Sequence, residues 1–329
     1  MENEEETTDL EGQIEPHMHS HSHPELSEEE QSAKELENFR KAGKLTASVL
    51  EDAKRLILPG ESLLDVVESI EKMIFDAGGK PAFPANISIN DIAAHFTPES
   101  DNKDLIGEKD IVKIDLGVHV DGCIGDTAFT VDLSGEHGKL LEASQAALDA
   151  AIAGIKPGVT TGEIGGMVEE EMKKRGFRPI ENLTGHMIRP YMLHAGISVP
   201  NIKTHDAYEF TEGDIFAIEP FSTDGAGRVA DTSQVEIFSI EQPRNVRLRQ
   251  SRMVLNHVIE TYFTLPFAER WLEKKFERKL LLNAALRELM NAGVLHPYPV
   301  LREAAHGKVA QFEHTLLVTK DGCEILTKK

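Results

Sequence analysis

The sequence of 329 residues contains little that would connect it to a membrane or to an oxidising compartment. Its two cysteines, Cys123 and Cys323, are too few for a disulfide framework, which favours a reducing compartment. It has no run of about 18 apolar residues, so no transmembrane helix is expected. The opening residues, MENEEETTDL, have neither a basic region nor an apolar one, so no secretory signal is predicted. We therefore expect a soluble cytoplasmic protein.

Positive charge is also scarce. Lys and Arg number 35 against 56 Asp and Glu, and the net charge of −21 argues against nucleic-acid binding by the whole protein. Residues 1–31 are strongly acidic and contain His17, His19, His21 and His23. Such a segment buries too little apolar surface to offset its ordering entropy, so it is predicted to be a disordered tail. Its histidines either bind metal loosely or are simply solvated.

Helical patterns begin where the acidic segment ends. From Leu36 to Leu58, apolar residues recur at helical intervals. A second helix is predicted over SLLDVVESIEKMIFDAG, with Ser62 as its N-cap and Gly78 at its end.

This helical region resembles a later part of the chain. Residues 58–83 align with residues 156–181 at an offset of 98, with matches at Pro59 and Pro157, Gly60 and Gly158, Glu71 and Glu169, Gly78 and Gly176, and Pro81 and Pro179. A helical run precedes each copy, and strand-like sequence follows it. The pattern predicts an α+β domain of two duplicated halves related by a pseudo-twofold axis. A functional cleft is expected where the halves meet.

Residues 236–299 differ from the rest, because Lys and Arg outnumber Asp and Glu there. The segment has three helical stretches and contains Trp271. We interpret it as a helical subdomain inserted into a catalytic domain of residues 32–235 and 300–329. Its basic charge indicates either contact with RNA or the ribosome or an ordinary solvated face.

Two carboxylates lie in a predicted β-hairpin, DIVKIDLGVHVDGCIGDTAFTVDL. If Asp121-Gly122 is its two-residue turn, Asp115 faces Ala128 and Asp126 faces Gly117. Asp115 and Asp126 are then diagonal neighbours on one face, about 7–8 Å apart at the backbone. Two buried carboxylates on one face repel, and a metal ion would relieve that repulsion. The alternative is a solvent-facing strand with two unremarkable aspartates.

Two more carboxylates lie in apolar strand sequence, Glu219 in IFAIEP and Glu313 in VAQFEHTLLV. HTLLVTKDGCEIL is predicted to form another hairpin, with its turn at Asp321-Gly322. With one imidazole, the four carboxylates provide five oxygen and nitrogen ligands. Five ligands are too many for one tetrahedral zinc and suit two divalent ions bridged by carboxylates and water, an arrangement found in aminopeptidases.

The order of these residues, Asp115, Asp126, His186, Glu219 and Glu313, resembles the metal signature of the methionine aminopeptidases. The words AAHFTP, NLTGHMIRPYMLHAGISVP, IFAIEPF and QFEHTLLV also fit that family, and the resemblance covers residues 32–329. It implies the pita-bread (creatinase/aminopeptidase) fold of peptidase family M24. The basic insertion resembles that of the type II enzymes of archaea and eukaryotes, which implies a winged-helix-like subdomain.

The resemblance also implies roles for the residues. Asp115 and Asp126 would hold one of two divalent ions, drawn from Co, Mn, Fe(II) and Zn. Asp126 and Glu313 would bridge to the second ion, and His186 and Glu219 would complete it, with Glu219 also shuttling the proton. His95 and His194 are implied to be catalytic together with Glu219, contacting the substrate peptide and the developing oxyanion, although a hydrogen-bonded structural histidine is the alternative for His95. A pocket for the methionine side chain is implied near Phe83, Leu193 and Tyr298.

The implied reaction is removal of the initiator methionine from nascent chains whose second residue is small. A monomer acting near the ribosome, with no membrane partner, is the expected form. Two alternatives stay open at this point: an Xaa-Pro aminopeptidase or dipeptidase of the same fold, which shares the ligand set, and a non-catalytic pita-bread protein that binds RNA or the ribosome.

Overall fold

A computed structural model describes residues 27–205 and 208–329. The predicted tail spans residues 1–31, and its first 26 residues lie outside the described part of the chain. The helices in the described part are α1 Glu28–Ala53, α2 Leu63–Asp76, α3 Gly138–Gly154, α4 Thr161–Lys174, α5 Arg249–Tyr262, α6 Glu269–Glu273 and α7 Lys279–Asn291, with a short 3-10 helix at Lys54–Leu56. No helix in these two ranges is long and apolar enough to cross a membrane.

The strands form four sheets in the described residues. One sheet has the order β1-β4-β2, with β5 paired to β4, and the others have the orders β14-β10-β6, β12-β11-β13-β3 and β16-β15-β9-β7-β8. The strands are β1 Lys80–Pro81, β2 Asn86–Ile89, β3 Ile92–Ala94, β4 Ile111–Val120, β5 Cys123–Asp132, β6 Arg178–Pro179, β7 Thr184–Met187, β8 Ser198–Pro200, β9 Ile215–Ile218, β10 Phe221–Thr223, β11 Val229–Ile240, β12 Phe267–Ala268, β13 Leu295–Glu303, β14 Val309–Gln311, β15 His314–Thr319 and β16 Gly322–Ile325.

Helix α1 begins earlier than the apolar pattern predicted. Ser27 accepts a hydrogen bond from the backbone N–H of Glu30, and the Glu30 side chain bonds back to the N-cap, which is a capping box. This polar signal starts the helix at Glu28, one turn before the predicted beginning of the domain at residue 32. The exposed first turn therefore depends on capping, whereas the apolar pattern detects only the part of the helix that packs on the core.

The duplication predicted from the sequence is confirmed. Helices α1 and α2 with strand β1 recur as α3 and α4 with β6, and each short strand joins a sheet by antiparallel pairing, β1 with β4 and β6 with β10. The matched glycines have matched conformations. Gly60 and Gly158 have φ of 88° and 86°, and Gly78 and Gly176 have φ of 86° and 84°. These left-handed positions favour glycine, which explains why the glycines persist while most other residues of the repeat differ.

The hairpin of β4 and β5 has the predicted register. Asp115 pairs with Ala128 and Gly117 pairs with Asp126. Asp121 and Gly122 form the turn, with φ of 49° and 85°, as a primed hairpin turn requires. The second predicted turn is wrong by one residue. Gly322 pairs with Thr319, so the loop of the β15–β16 hairpin is residues 320–321, and Gly322 is the first residue of β16.

Threonine side chains join β5 to Glu313 and to the start of β15. Thr127 donates its hydroxyl to the carbonyl of Glu313 at 2.7 Å. Thr315 accepts from the backbone N–H of Asp126 at 2.7 Å and donates to its carbonyl at 2.8 Å. Both threonines are fully buried, so these bonds are protected from water. They fix the backbones of Asp126 and Glu313 relative to each other.

The insertion is smaller in its helical part than predicted. Strands β11 and β13 pair from Val229 with Glu303 to Ile240 with Leu295. Both ends of the predicted range 236–299 are therefore strand, and the helices α5, α6 and α7 lie between residues 249 and 291. The predicted range was set by the change in charge composition. The ends of the strands instead carry the β-branched and aromatic residues that favour pairing. The helices enclose their own apolar core, against which Trp271 packs.

A fully buried carboxylate closes the end of β13. Glu303 accepts hydrogen bonds from the backbone N–H groups of Ala226 at 2.5 Å, Gly227 at 3.0 Å, Ala305 at 2.7 Å and Gly307 at 2.9 Å. Burial raises the pKa of Glu303, but the four N–H groups together outweigh burial and hold the pKa below its usual value. This carboxylate joins the loop after β10 to the loop after β13.

Glu303→Gln should destabilise the fold by about 2–3 kcal/mol at pH 7, because it removes the charge and turns an amide N–H toward backbone donors. Since the folded pKa is depressed, the charge contributes stability above the unfolded pKa, and this contribution is lost as the pH falls through the folded pKa. The difference in urea-unfolding free energy between wild type and variant should therefore shrink in acid.

The control is Glu324→Gln, which removes an exposed ion pair with Arg40 at 2.7 Å. It should change stability by less than about 1 kcal/mol. An equal effect of the two substitutions at pH 7 would contradict the role of the buried N–H cluster around Glu303.

Candidate metal centre

Four buried or half-buried carboxylates from the two halves of the domain converge on one cavity. Asp115 and Asp126 come from the β4–β5 hairpin. Glu219 directly follows β9, and Glu313 directly precedes β15. Ile218 of β9 pairs with His314 of β15, so the next step of the same register brings Glu219 and Glu313 opposite each other. The sheets therefore supply one pair of carboxylates from each half.

His186 extends from β7 toward these carboxylates. Its backbone pairs with Ala217 of β9, two residues before Glu219. Its Nε2 atom lies 3.7 Å from Oδ2 of Asp126 and 3.4 Å from Oε1 of Glu219. Ligand atoms of Asp126, His186 and Glu313 all lie within 4.8 Å of one another. These distances allow a shared divalent ion, and Asp115 and Glu219 stand beside this group in the same cavity.

The carboxylates are poorly compensated by protein groups. The amide of Gln311 donates to Asp115 and Glu219 at 3.4 Å and to Glu313 at 3.3 Å. Among the described residues, Oδ1 of Asp115 and Oδ1 of Asp126 are buried without a hydrogen-bond partner. A buried carboxylate without a counter-charge is costly. The unsatisfied oxygens therefore fit a cation as the missing partner.

The pKa values of the carboxyls record the same imbalance. Burial raises the pKa of Asp115 to about 7, although Gln311 opposes the shift. Burial, followed by repulsion from the neighbouring carboxylates, raises the pKa values of Asp126, Glu219 and Glu313 well above their usual range. Burial lowers the pKa of His186, which favours the neutral imidazole that ligates metals. Four oxygen ligands and one nitrogen suit first-row divalent ions.

The residues predicted to face the substrate line the same cavity, which encloses about 290 Å³. They are Phe83, His95, Leu193, His194 and Tyr298. The structure thus brings every sequence-predicted site residue to one place, and their individual roles stay predictions.

The histidines of the cavity lie close together. The ring centroids of His186 and His194 are 4.5 Å apart, and those of His95 and Tyr298 are 5.5 Å apart. His95 also contacts the carbonyl oxygen of Pro299 through Nδ1 at 3.2 Å and has a left-handed φ of 64°. Burial lowers the pKa values of His95 and His194, the latter to about 4. Both imidazoles are therefore neutral near pH 7. Nδ1 of His95 donates the single N–H of that ring to the Pro299 carbonyl, which leaves Nε2 as an acceptor, whereas His194 can donate one N–H to a bound molecule.

Several residues in the cavity or bonded to its carboxylates were not predicted from the sequence. Gln311 precedes Glu313 by two residues, and strand alternation would have placed both side chains on one face. Asn86, whose buried Oδ1 has no hydrogen-bond partner among the described residues, pairs with Asp115 across β2 and β4. Ile237 and Pro266 reach the cavity from the edge of the insertion, and no local pattern marks them.

Comparison with known proteins agrees with this geometry. Residues 37–320 match the profile described as metallopeptidase family M24. A methionine aminopeptidase of Pyrococcus horikoshii is 47% identical over 295 residues, covering 89% of this chain and 100% of the relative.

Two solved structures share the fold. A methionine aminopeptidase of Thermotoga maritima has 25% identity and a TM-score of 0.66, covering 90% of this chain and 97% of that one. A prolidase of Pyrococcus furiosus has 18% identity and a TM-score of 0.58, covering 90% of this chain but only 64% of that one. The pita-bread fold expected from the sequence is thereby confirmed.

Stripping the protein of metal should make its stability fall as the pH rises through about 7, the pKa of Asp115, and above it. The folded pKa values of the buried carboxyls lie above their unfolded values, so stability is full below the unfolded pKa and is lost as the pH rises through the folded pKa. Added Mn²⁺ or Co²⁺ should reverse the loss. Thermal unfolding in chelator and in metal across this pH range measures the effect.

The double variant Asp126→Asn/Glu313→Gln removes two of the repelling charges. In chelator, its melting temperature should vary less with pH than that of the wild type, and added metal should raise it less. A wild type whose stability rises with pH in chelator, or does not respond to metal, would contradict the assignment of a metal centre.

Proposed function

The chain belongs to metallopeptidase family M24, and on that premise we propose that it removes the initiator methionine from nascent polypeptides whose second residue is small. It is a metal-dependent aminopeptidase of the methionine-specific class, as its full-length similarity to an archaeal methionine aminopeptidase indicates. The observation that carries the proposal is the convergence of five metal-binding side chains in a cavity that also has an apolar wall. Its basic helical insertion and its archaeal relative favour the type II class.

The cavity has a polar part and an apolar part. We assign Asp115 and Asp126 to one divalent ion, and His186 and Glu219 to a second, with Asp126 and Glu313 shared between the two. When bound, two such ions polarise a carbonyl and lower the pKa of a water molecule. The five side chains are oxygen-rich with one imidazole, a set that accepts Co, Mn, Fe(II) or Zn.

Side chains of the protein transfer the proton and bind the substrate. Glu219 takes the proton from the attacking water at its carboxylate and returns it to the leaving amine. His194, which is neutral, donates a hydrogen bond to the substrate carbonyl as negative charge develops on its oxygen. His95, whose N–H is bonded to Pro299, accepts a hydrogen bond from the substrate peptide through Nε2. Phe83, Leu193 and Tyr298 form the wall that would contact the methionine side chain.

The wall is suited to a flexible thioether. Phe83 and Leu193 are buried, and Tyr298 is fixed by contact between its hydroxyl and Oγ of Ser239 at 3.2 Å. Ile237 and Pro266 complete the apolar side of the cavity. Methionine gains from such surfaces because its unbranched side chain adapts to irregular apolar contacts.

We place the reaction in the cytoplasm, with the protein acting as a monomer on polypeptides as they leave the ribosome. The described part of the chain has no helix that could cross a membrane, and Cys123 and Cys323 are free thiols. The basic helices of the insertion provide the surface for a ribosome contact.

A peptide panel tests the activity against its closest alternative. With Co²⁺, Mn²⁺, Fe²⁺ or Zn²⁺ added singly after metal stripping, Met-Ala-Ser and Met-Gly peptides should be cleaved. Leu-Ala-Ser and those Xaa-Pro peptides that do not begin with methionine should not be cleaved. Cleavage of Xaa-Pro peptides alone would identify an Xaa-Pro aminopeptidase or dipeptidase. A protein that holds no divalent ion and is inert with every metal would support the non-catalytic alternative.

Glu219→Gln should lower kcat for Met-Ala-Ser by about 10²–10⁴-fold, because the amide cannot take up the proton from water. Steady-state kinetics at saturating metal, with circular dichroism to confirm folding, measures this effect. Glu212→Gln, an exposed residue seven positions earlier, is the matched control and should retain full turnover. Near-normal kcat in Glu219→Gln would remove Glu219 from the proposed proton path.

A further inference from the structure

We propose that Glu71, which lies outside the catalytic cavity, is a positioning residue for the wall that binds methionine. Its carboxylate joins the chain segments that carry Phe83, His95 and Pro266, which line the cavity. The proposal rests on the proposed aminopeptidase function, because it assigns a role in substrate binding to a residue that touches neither substrate nor metal.

The Glu71 carboxylate is almost completely buried, with 6% of the residue exposed. One oxygen, Oε1, accepts from Nη2 of Arg270 and from the backbone N–H of Ala85 at 3.3 Å. The other oxygen, Oε2, accepts from Nε1 of Trp271 at 2.9 Å. Helix α2 is therefore bonded both to the segment before β2 and to helix α6 of the insertion.

Thr97 closes this arrangement into a ring. Its hydroxyl accepts from Nη2 of Arg270 at 3.1 Å and donates to the carbonyl of Ala85 at 2.9 Å. Thr97 is fully buried, so water does not compete for these bonds. Each partner therefore constrains the position of the others.

The members of this ring lie next to cavity residues along the chain. Ala85 follows Phe83 by two residues and precedes Asn86. Thr97 follows His95 by two residues, and Arg270 follows Pro266 by four. Movement of the ring would therefore shift three residues of the cavity: Phe83, the substrate-facing His95, and Pro266, which the insertion contributes to the wall. Of the metal-binding carboxylates, Asp126 and Glu313 are held by the Thr127 and Thr315 bonds instead. Asp115 pairs with Asn86 of β2 but is also held by the pairing of β4 with β5.

The energetics favour a geometric role over a purely stabilising one. Arg270 is 3% exposed, and its Nε and Nη1 atoms are buried without hydrogen-bond partners among the described residues. A buried ion pair with unsatisfied donors recovers little of its desolvation cost, and apolar residues of similar volume would stabilise such a position at least as well. What apolar residues could not supply is the fixed direction of the bonds to Ala85, Thr97 and Trp271.

The internal repeat provides a comparison within the same chain. Glu169 occupies the position in α4 that Glu71 occupies in α2, with the same offset of 98. Glu169 is only partly buried, pairs with Lys173 one turn away and accepts from the backbone N–H of Lys203 at 3.1 Å. Its partners belong to its own half. In the half that contacts the insertion, the same position is Glu71, which is buried and bonded to Arg270 and Trp271, far away in the sequence.

The test compares Glu71→Gln with Glu68→Gln. Glu68 lies on the same helix and bonds to Lys274 of the insertion at 3.0 Å, but this pair is exposed. For Met-Ala-Ser, Glu71→Gln should reduce kcat/KM by about tenfold to a hundredfold, since a shift of about 1 Å in a distant positioning group has effects of this size. The loss should appear mainly as a higher KM, with kcat and bound metal near the wild-type values, because binding surface rather than reacting groups is displaced. Glu68→Gln should match the wild type in both constants.

Glu71→Gln leaves Arg270 buried without its charge partner and can unfold the protein. The double variant Glu71→Met/Arg270→Met removes both charges while keeping apolar volume, and it should fold and show the same rise in KM. A wild-type KM in either folded variant would overturn the proposal. So would a parallel fall in kcat, metal content and melting temperature, which indicates a general structural role. An inactive wild type would instead overturn the proposed function, since both Glu71 measurements require its activity.

Discussion

The mutual repulsion of buried carboxylates is the constraint on which this structure depends. Asp115, Asp126, Glu219 and Glu313 share one cavity, and the imidazole of His186 beside them is kept neutral by burial, so it does not offset their charge. Unpaired burial costs several kcal/mol for each charge, so the scaffold must resist the tendency of these strands to separate. Continuous pairing of β4 with β5, pairing of β9 with β15, and the buried threonine bonds between β5 and Glu313 supply that resistance. The same rigidity keeps the ligands in place when a cation arrives, because little ordering remains to be done.

The duplicated architecture explains how the chain assembles such a site. One half supplies its carboxylates on a hairpin whose register is fixed by its turn. The other half supplies Glu219 and His186 on neighbouring strands, and Glu313 returns from beyond the insertion to complete the set. Each half contains only part of the charge cluster, so each can form its sheet before the full repulsion is felt. The cavity exists only where the halves meet, which is where a duplicated domain has a cleft without an added loop.

The sequence predicted those features that depend on local patterns. The Asp121-Gly122 turn set the β4–β5 register, and with it the relation of Asp115 to Asp126. The same dipeptide at Asp321-Gly322 gave a turn prediction that is wrong by one residue, because Gly322 belongs to β16 and pairs with Thr319. The range predicted for the insertion, residues 236–299, includes strand residues at both ends, because charge composition changes at a different residue from hydrogen-bonded pairing. Contacts between distant residues had no sequence signal: Glu71 and Arg270 are 199 positions apart, and neither is unusual in its own segment.

The side chains proposed to bind metal and those proposed to contact the methionine side chain come in part from different segments of the chain. The side chains proposed to bind metal lie on strands of the two halves or next to them. Phe83 and Leu193 of the wall also come from the halves, whereas Pro266, Ile237 and Tyr298 belong to the insertion or the strands that lead into it. The part of the wall that the insertion contributes can change its shape without disturbing the repelling carboxylates, but it must then be held in register with them. The buried bonds of Arg270 and Trp271 to Glu71 provide such a connection, at a place where the insertion meets helix α2. The ion pair of Glu71 with Arg270 leaves some hydrogen-bond donors unsatisfied, so stability alone does not explain it. Its bonds fix the orientation of the insertion relative to helix α2, and apolar packing alone specifies orientation least well.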